Sequence, residues 1–343
     1  MHAMTVLGSV QPEALGRTLA HEHLLIDLRG LWEPPPPARA HLADAEPTLE
    51  NRGELSRDAY DSRANLRLDD VDLAVAEAAR ARAAGAGTLV DVTNRGIGPR
   101  PAALRTIAER TGLHIVAGCG FYRARCLPEA ALSSTTPEIE DILFLAVTRG
   151  IDDSGIRAGI LGELGTSDPI HPFEESQLRA AARVSRRTGA AICVHPAIWG
   201  HQHLRILDLL DDGGADLSRV ILSHCDELVE PDLHAEIARR GAVVSFDTFG
   251  SESTFDRDGT AEPRDSERID CLLRLLGRGF GDRVVLSQDV CTKLQLRRYG
   301  GYGYDHLLST VVPLLERRGV GEGEIEAMLV GTPRRLLSLP GEG

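Results

Sequence analysis

Six side chains stand out on type and spacing alone: His21, His23, Glu163, His195, His224 and Asp289. The first two form an H-x-H, and in a strand the period-two alternation sets both imidazoles on one face. Two imidazoles turned together into a core are costly unless they are paired or ligating. The other four each close an apolar run, in ILGELG, AICVHP, VILSHCD and VVLSQD. Imidazoles with carboxylates suit two borderline divalent ions, with zinc the default and manganese or cobalt also fitting, and suit calcium or magnesium poorly. Two such ions can share a water, lower its pKa toward roughly 7 and polarise a carbonyl or phosphoryl oxygen, so hydrolysis is the expected chemistry. Asp289 is expected to do two jobs, holding an ion and passing a proton from the nucleophile to the leaving group.

These residues need a scaffold that brings the ends of several strands to one place. Short Val- and Ile-rich runs alternate with longer Ala/Leu/Arg stretches of helical period, the pattern of repeated βα units. Strands are expected over 17–26, 88–92, 115–120, 158–163, 191–195, 220–224, 243–247 and 284–289. Helices are expected over 69–84, 101–111, 137–149, 174–188, 202–211, 231–240, 265–276 and 305–318, with Gly85, Gly112, Gly189 and Gly241 between helix and strand. A last helical stretch, 322–337, is expected to break at Pro333. The reading is a (β/α)8 barrel, one domain over residues 1–343, with the six residues at the C-terminal mouth where enzymes of this fold work. Two segments exceed ordinary loops, 28–68 and 250–264, and both leave at that mouth as expected pocket walls. His171, His201, His203, His234 and His306 do not end apolar runs and read as surface residues.

The chain carries a net charge of −13, which disfavours nucleic acid as a partner. It has no apolar run of about 18 residues, and Met1–Val10 has neither a basic segment nor a sustained apolar stretch, so a cytoplasmic protein with no membrane partner is expected. Aromatic residues make up only 4%, so the core must be built from Ala, Leu, Val and Ile. The six cysteines lack any C-x-x-C pair and read as reduced, with Cys193 and Cys225 as small apolar filler.

The order of these motifs resembles the amidohydrolase superfamily, and LAHEHLLID narrows it to the phosphotriesterase-like branch. GELGTSD, SHCDE, FDTFG, LSQD and GGYGYDHLLSTVVP are similar to the phosphotriesterase homology proteins, so the likeness runs from Thr5 to Leu337. It implies that His21, His23 and Asp289 hold the more buried ion, that His195 and His224 hold the other, and that a strand-four side chain bridges them. In phosphotriesterases that bridge is a carboxylated lysine, whereas this chain has its one lysine at Lys293 and an acid, Glu163, at the bridging position. The relay histidine of true phosphotriesterases is replaced by Thr248. Both departures weaken the organophosphate reading. The resemblance also makes Tyr122 the tyrosine that lactonase relatives keep near their metals, and it admits a homodimer.

Within GFYRARC, Arg123 and Arg125 could clamp a substrate carboxylate or phosphate. The leading expectation is a small-molecule hydrolase using a bridging hydroxide on an anionic ester or lactone, with an amide of an N-acyl amino acid second. A phosphodiesterase or organophosphate hydrolase and a non-catalytic metal-bound scaffold stand behind these.

Overall fold

The computed structural model describes residues 1–255 and 259–341. Eight parallel strands form one sheet in sequential order: β1 (Thr18–Glu22), β2 (Thr88–Asp91), β3 (His114–Cys119), β4 (Ile160–Gly165), β5 (Ile192–His195), β6 (Val220–Leu222), β7 (Val243–Phe246) and β8 (Val284–Leu286). The ring closes between β8 and β1, where the Asp289 backbone N–H donates to the His21 carbonyl at 3.2 Å and the His21 N–H donates to Ser287 Oγ at 3.0 Å. The expected (β/α)8 barrel is therefore the observed fold.

The barrel interior is filled by small aliphatic side chains, among them Ala20, Val90, Val116, Ile160, Ala191, Ile221, Val243 and Val285, all buried. This is where an aromatic-poor composition pays off, because interior layers of a barrel accept branched residues better than rings. Its floor is closed by Leu336 and Leu337 and by a three-stranded antiparallel sheet of His2–Thr5, Gly8–Val10 and Ser338–Leu339.

Helices cover the outside: α1 (Val71–Ala83), α2 (Pro101–Thr111), α3 (Thr136–Thr148), α4 (Pro172–Thr188), α5 (His203–Asp212), α6 (Pro231–Arg239), α7 (Asp265–Leu276) and α8 (Val312–Arg317). Asp70 caps α1 by accepting from the N–H groups of Asp72 and Leu73. Gly189 ends α4 in the left-handed region at φ 76°, where a Cβ would be penalised. Among the described residues no helix is long and apolar enough to cross a membrane.

The structure corrects the sequence reading in several places. The expected first strand, 17–26, stops at Glu22, and β6 and β8 stop before His224 and Asp289, which sit in left-handed turns at φ 54° and 46°. The 322–337 stretch does not simply break at Pro333. Wide turns over Leu307–Val311 and Ala327–Gly331 precede Pro313 and Pro333, accommodating residues that lack an N–H. His171 and His201 are exposed as expected, but His203, His234 and His306 are buried. His234 Nε2 reaches the Cys225 carbonyl at 2.7 Å and His306 Nε2 reaches Asp265 Oδ2 at 2.6 Å, long-range partners that no local pattern announces.

The 28–68 segment is a wall with a small core of its own, Leu42, Leu55 and Ala59 packed against Leu294. Arg52 pins it to the segment after β8 through the carbonyls of Leu294 and Tyr299, at 2.9 and 2.7 Å. Of the expected 250–264 wall, residues 256–258 lie outside the described residues, and Thr254–Phe255 pairs with Thr260–Ala261.

Candidate metal centre

Every one of the six residues singled out in the sequence arrives at the C-terminal mouth. His21 and Glu22 end β1, and His23 follows directly. Glu163 lies within β4, His195 ends β5, and His224, Asp247 and Asp289 follow β6, β7 and β8. Three groups have ligand atoms within 4.8 Å of one another: His21, His23 and Glu163; His21, His224 and Asp289; and Glu163, His195 and His224.

The rings are aimed. His23 Nδ1 meets Thr93 Oγ1 at 2.8 Å, leaving Nε2 at 3.2 Å from both Glu163 Oε1 and Asp289 Oδ1. His21 Nδ1 faces Ser223 Oγ at 3.0 Å and Asp247 Oδ2 at 3.3 Å, so its Nε2 points inward, 3.6 Å from Glu163 and Asp289. His224 Nδ1 faces Asp247 Oδ1 at 3.0 Å, and its Nε2 lies 2.8 Å from His195 Nδ1, itself 3.0 Å from Glu163 Oε2. Fixing one ring nitrogen to present the other is how proteins orient imidazole ligands.

A cation fits this arrangement because buried acceptors converge without donors. His21 Nε2 and Asp289 Oδ1 are buried and have no hydrogen-bond partner, and groups of that kind are normally satisfied. The electrostatics agree. Burial would raise the Glu163 carboxyl, but His195 and His21 hold it well below the usual range, and His224 and His21 do the same for Asp247. Burial pushes the His23 imidazole down, yet the Asp289 and Glu163 carboxylates, each 3.2 Å from its Nε2, bring it up to about 9. Burial wins only at His195, which falls to about 4. The cluster thus carries surplus negative charge that attracts protons or metal ions.

Besides Thr93, four braces escaped the sequence reading. Asp247 serves two histidines at once and also accepts from the His224 N–H at 2.8 Å. Asp91 holds the N–H groups of Leu24 and Thr93, fixing the turn that carries His23. Ser223 faces His21. Glu22, turned away from its two flanking histidines, accepts from Ser287 Oγ and from the N–H groups of Gln288 and Val290, placing Asp289. A signal was available for two of them, since TLVD and VVSFD end apolar runs in an acid just as VVLSQD does.

The cavity above the cluster encloses about 530 Å³, and its lining includes Tyr60, Arg123, Trp199, Thr248 and Asp289. The loop after β3 rests directly on Gly165, where a Cβ would lie 2.2 Å from the Arg123 nitrogen. That contact sets Tyr122 with its hydroxyl 3.2 Å from His195 Nε2. Both arginines line the cavity, but Arg125 is paired there with Glu33 at 3.1 Å. Arg123 makes no side-chain ion pair or hydrogen bond among the described residues, and its Nε is buried without an acceptor.

Residues 1–337 match the model of the phosphotriesterase family. The chain belongs to the phosphotriesterase family. Members are binuclear metal enzymes, in keeping with the clustered donors. The chain is 33% identical over 338 residues to the N-acetyltaurine hydrolase of Xenopus tropicalis, covering 97% of each. Among solved structures, a resiniferatoxin-binding protein from Rhodobacter sphaeroides superposes with a TM-score of 0.96 at 39% identity, covering 98% of this chain and 94% of the other. A mutant of a phosphotriesterase-like lactonase from Deinococcus radiodurans gives 0.77 at 32% identity, covering 98% and 100%. This phosphotriesterase-family chain is accordingly a hydrolase.

Proposed function

We propose that this chain hydrolyses the amide bond of a small N-acylated amine bearing an anionic group, with N-acetyltaurine and N-acetylglycine as model substrates. The observation that carries the reading is Arg123, a guanidinium lining the cavity with no ion-pair partner among the described residues. A planar fork of that kind grips a sulfonate or carboxylate through paired hydrogen bonds. The amide class is supported by the curated relatives, and it moves ahead of the ester or lactone that the sequence alone ranked first. The lactone reading stays second, supported by the lactonase neighbour.

In this reading His21, His23 and Asp289 would hold one ion and His195 and His224 the other, with Glu163 within reach of both groups. Zinc is the default for so imidazole-rich a set. When bound, such ions lower the pKa of water and polarise a carbonyl. Asp289 lines the cavity, where it takes a proton from the attacking water and hands it to the leaving nitrogen. The carbon–nitrogen bond breaks, giving a carboxylate and an amine that leaves as ammonium. Burial holds the Tyr122 phenol well above its usual range, so it stays protonated beside His195. With Glu163 in place of a carboxylated lysine and Thr248 in place of the relay histidine, organophosphate hydrolysis has little support.

The test is turnover by zinc-, manganese- and cobalt-loaded protein of N-acetyltaurine, N-acetylglycine, neutral N-ethylacetamide and γ-butyrolactone. The anionic amides are expected to be preferred over the neutral one, and Arg123→Ala should raise their KM about 10- to 100-fold. Cleavage of the lactone alone would overturn the amide reading, and equal turnover of charged and neutral amides would remove Arg123 from it.

A further inference from the structure

The cavity has a second pole. Strands three and seven face each other across an eight-stranded ring, so Arg123 after β3 looks toward the wall built by the loops after β6 and β7. That wall presents Glu227, Thr248 and Glu262. Glu227 is 5% exposed. Its Oε1 accepts from Arg268 at 2.8 Å, while Oε2 is buried with no partner. Thr248 is also 5% exposed, with its N–H given to Asp226 Oδ2 at 3.0 Å and its Oγ1 unpartnered. Glu262 is held only by neutral donors among the described residues, Ser251 Oγ at 2.8 Å and the Ser253 N–H at 2.6 Å.

Behind the wall, the fully buried Arg268 is shared among Glu227, Asp226 at 3.4 Å and Asp265 at 3.6 Å. The one other basic side chain on this group, among the described residues, is His306, whose Nε2 lies 2.6 Å from Asp265 Oδ2. Negative charge is therefore in excess. Burial, with Glu227 close by, pushes the Glu262 carboxyl up to about 8, and burial pushes Asp226 up to about 7. Two orphaned buried acceptors beside an under-compensated carboxylate fit a group with several N–H donors and a positive charge.

We infer that Glu227, Thr248 and Glu262 form a cation subsite, and that the acyl half of the substrate ends in an ammonium group. The inference rests on the amide reading, which places the anionic half at Arg123. The substrate is then an aminoacyl amide with opposite charges at its two ends, the scissile bond lying between them over the metal cluster.

Matched pairs of taurine amides test this. Glycyl-, β-alanyl- and γ-aminobutyryl-taurine are compared with propionyl-, butyryl- and valeryl-taurine, each pair differing by ammonium against methyl. At the chain length that reaches the wall, kcat/KM is expected to favour the ammonium compound by about tenfold or more. Glu262→Gln should bring that ratio to within about threefold of one. Glu227→Gln should do the same, but it disturbs Arg268, so Glu262→Gln is the deciding variant. A ratio at or below one at every length, or a preference that survives both variants, overturns the subsite. If no amide is cleaved the amidase reading falls. The subsite is then judged by calorimetric binding of the same pairs, and equal affinity within each pair sinks it.

Discussion

Replacing Asp247 with asparagine keeps the side chain's size but turns one acceptor into an NH2 donor. In the native site Oδ1 faces His224 Nδ1 at 3.0 Å and Oδ2 faces His21 Nδ1 at 3.3 Å, and the residue is fully buried. Whichever way the amide is turned, one imidazole loses its acceptor, and the charge that makes both rings more basic is gone. Losing a brace of this kind costs about 10–100-fold in metal affinity, or about 1.4–2.7 kcal/mol. Because Asp247 touches one histidine from each proposed ion group, both affinities should fall by that factor. Thr93→Val provides the contrast, since His23 is the one histidine its hydroxyl meets among the described residues, and it should weaken one ion only. The assay is zinc titration of metal-free protein against a chromophoric chelator, with thermal unfolding of the same samples to establish that each variant is folded. Two zinc ions held by Asp247→Asn at native affinity, or a loss confined to one ion, would refute the role of Asp247 as a shared brace.

Arg268→Met strands Glu227 and Asp226 in the interior. Breaking a buried pair this way costs about 3–5 kcal/mol, so Tm should fall by roughly 10 °C, and an unchanged Tm would show that the acids are compensated otherwise. Glu262 titrates near 8 when folded and near 4.5 when unfolded, so the folded chain binds the extra proton and stability is lost as pH rises through that window. The shift sets a ceiling of about 5 kcal/mol, which partial exposure reduces to roughly 1–2. Glu262→Gln should therefore stabilise the protein at pH near 8.5 relative to pH near 5, at matched metal loading. Identical pH profiles of Tm for variant and native protein would contradict this.

Much of this site could be read from sequence because a barrel converts position into proximity. An apolar run that ends in His, Glu or Asp delivers that residue to the mouth whatever the intervening chain does, and all six side chains obey the rule. What stayed hidden is set by partners far away in sequence. Asp247 obeys the same rule as Asp289, but nothing local distinguishes a brace from a ligand. His234 and His306 are buried because Cys225 and Asp265 receive them, and the roles of Arg123 and Arg125 were separated only by Glu33. The ends of β6 and β8 came two and three residues early because His224 and Asp289 occupy left-handed turns, which an apolar pattern does not encode.

The seam of the barrel is stitched with the same residues that make the centre. His21 offers its ring inward and its carbonyl to Asp289, while Glu22 grips the backbone on either side of Asp289. During synthesis the first histidines must therefore wait, uncoupled from their acid partner, until the last strand has emerged and docked beside the first. Completion of the His21, His224 and Asp289 group and circularisation of the sheet become one late event, and a chain that stops short of residue 289 can achieve neither.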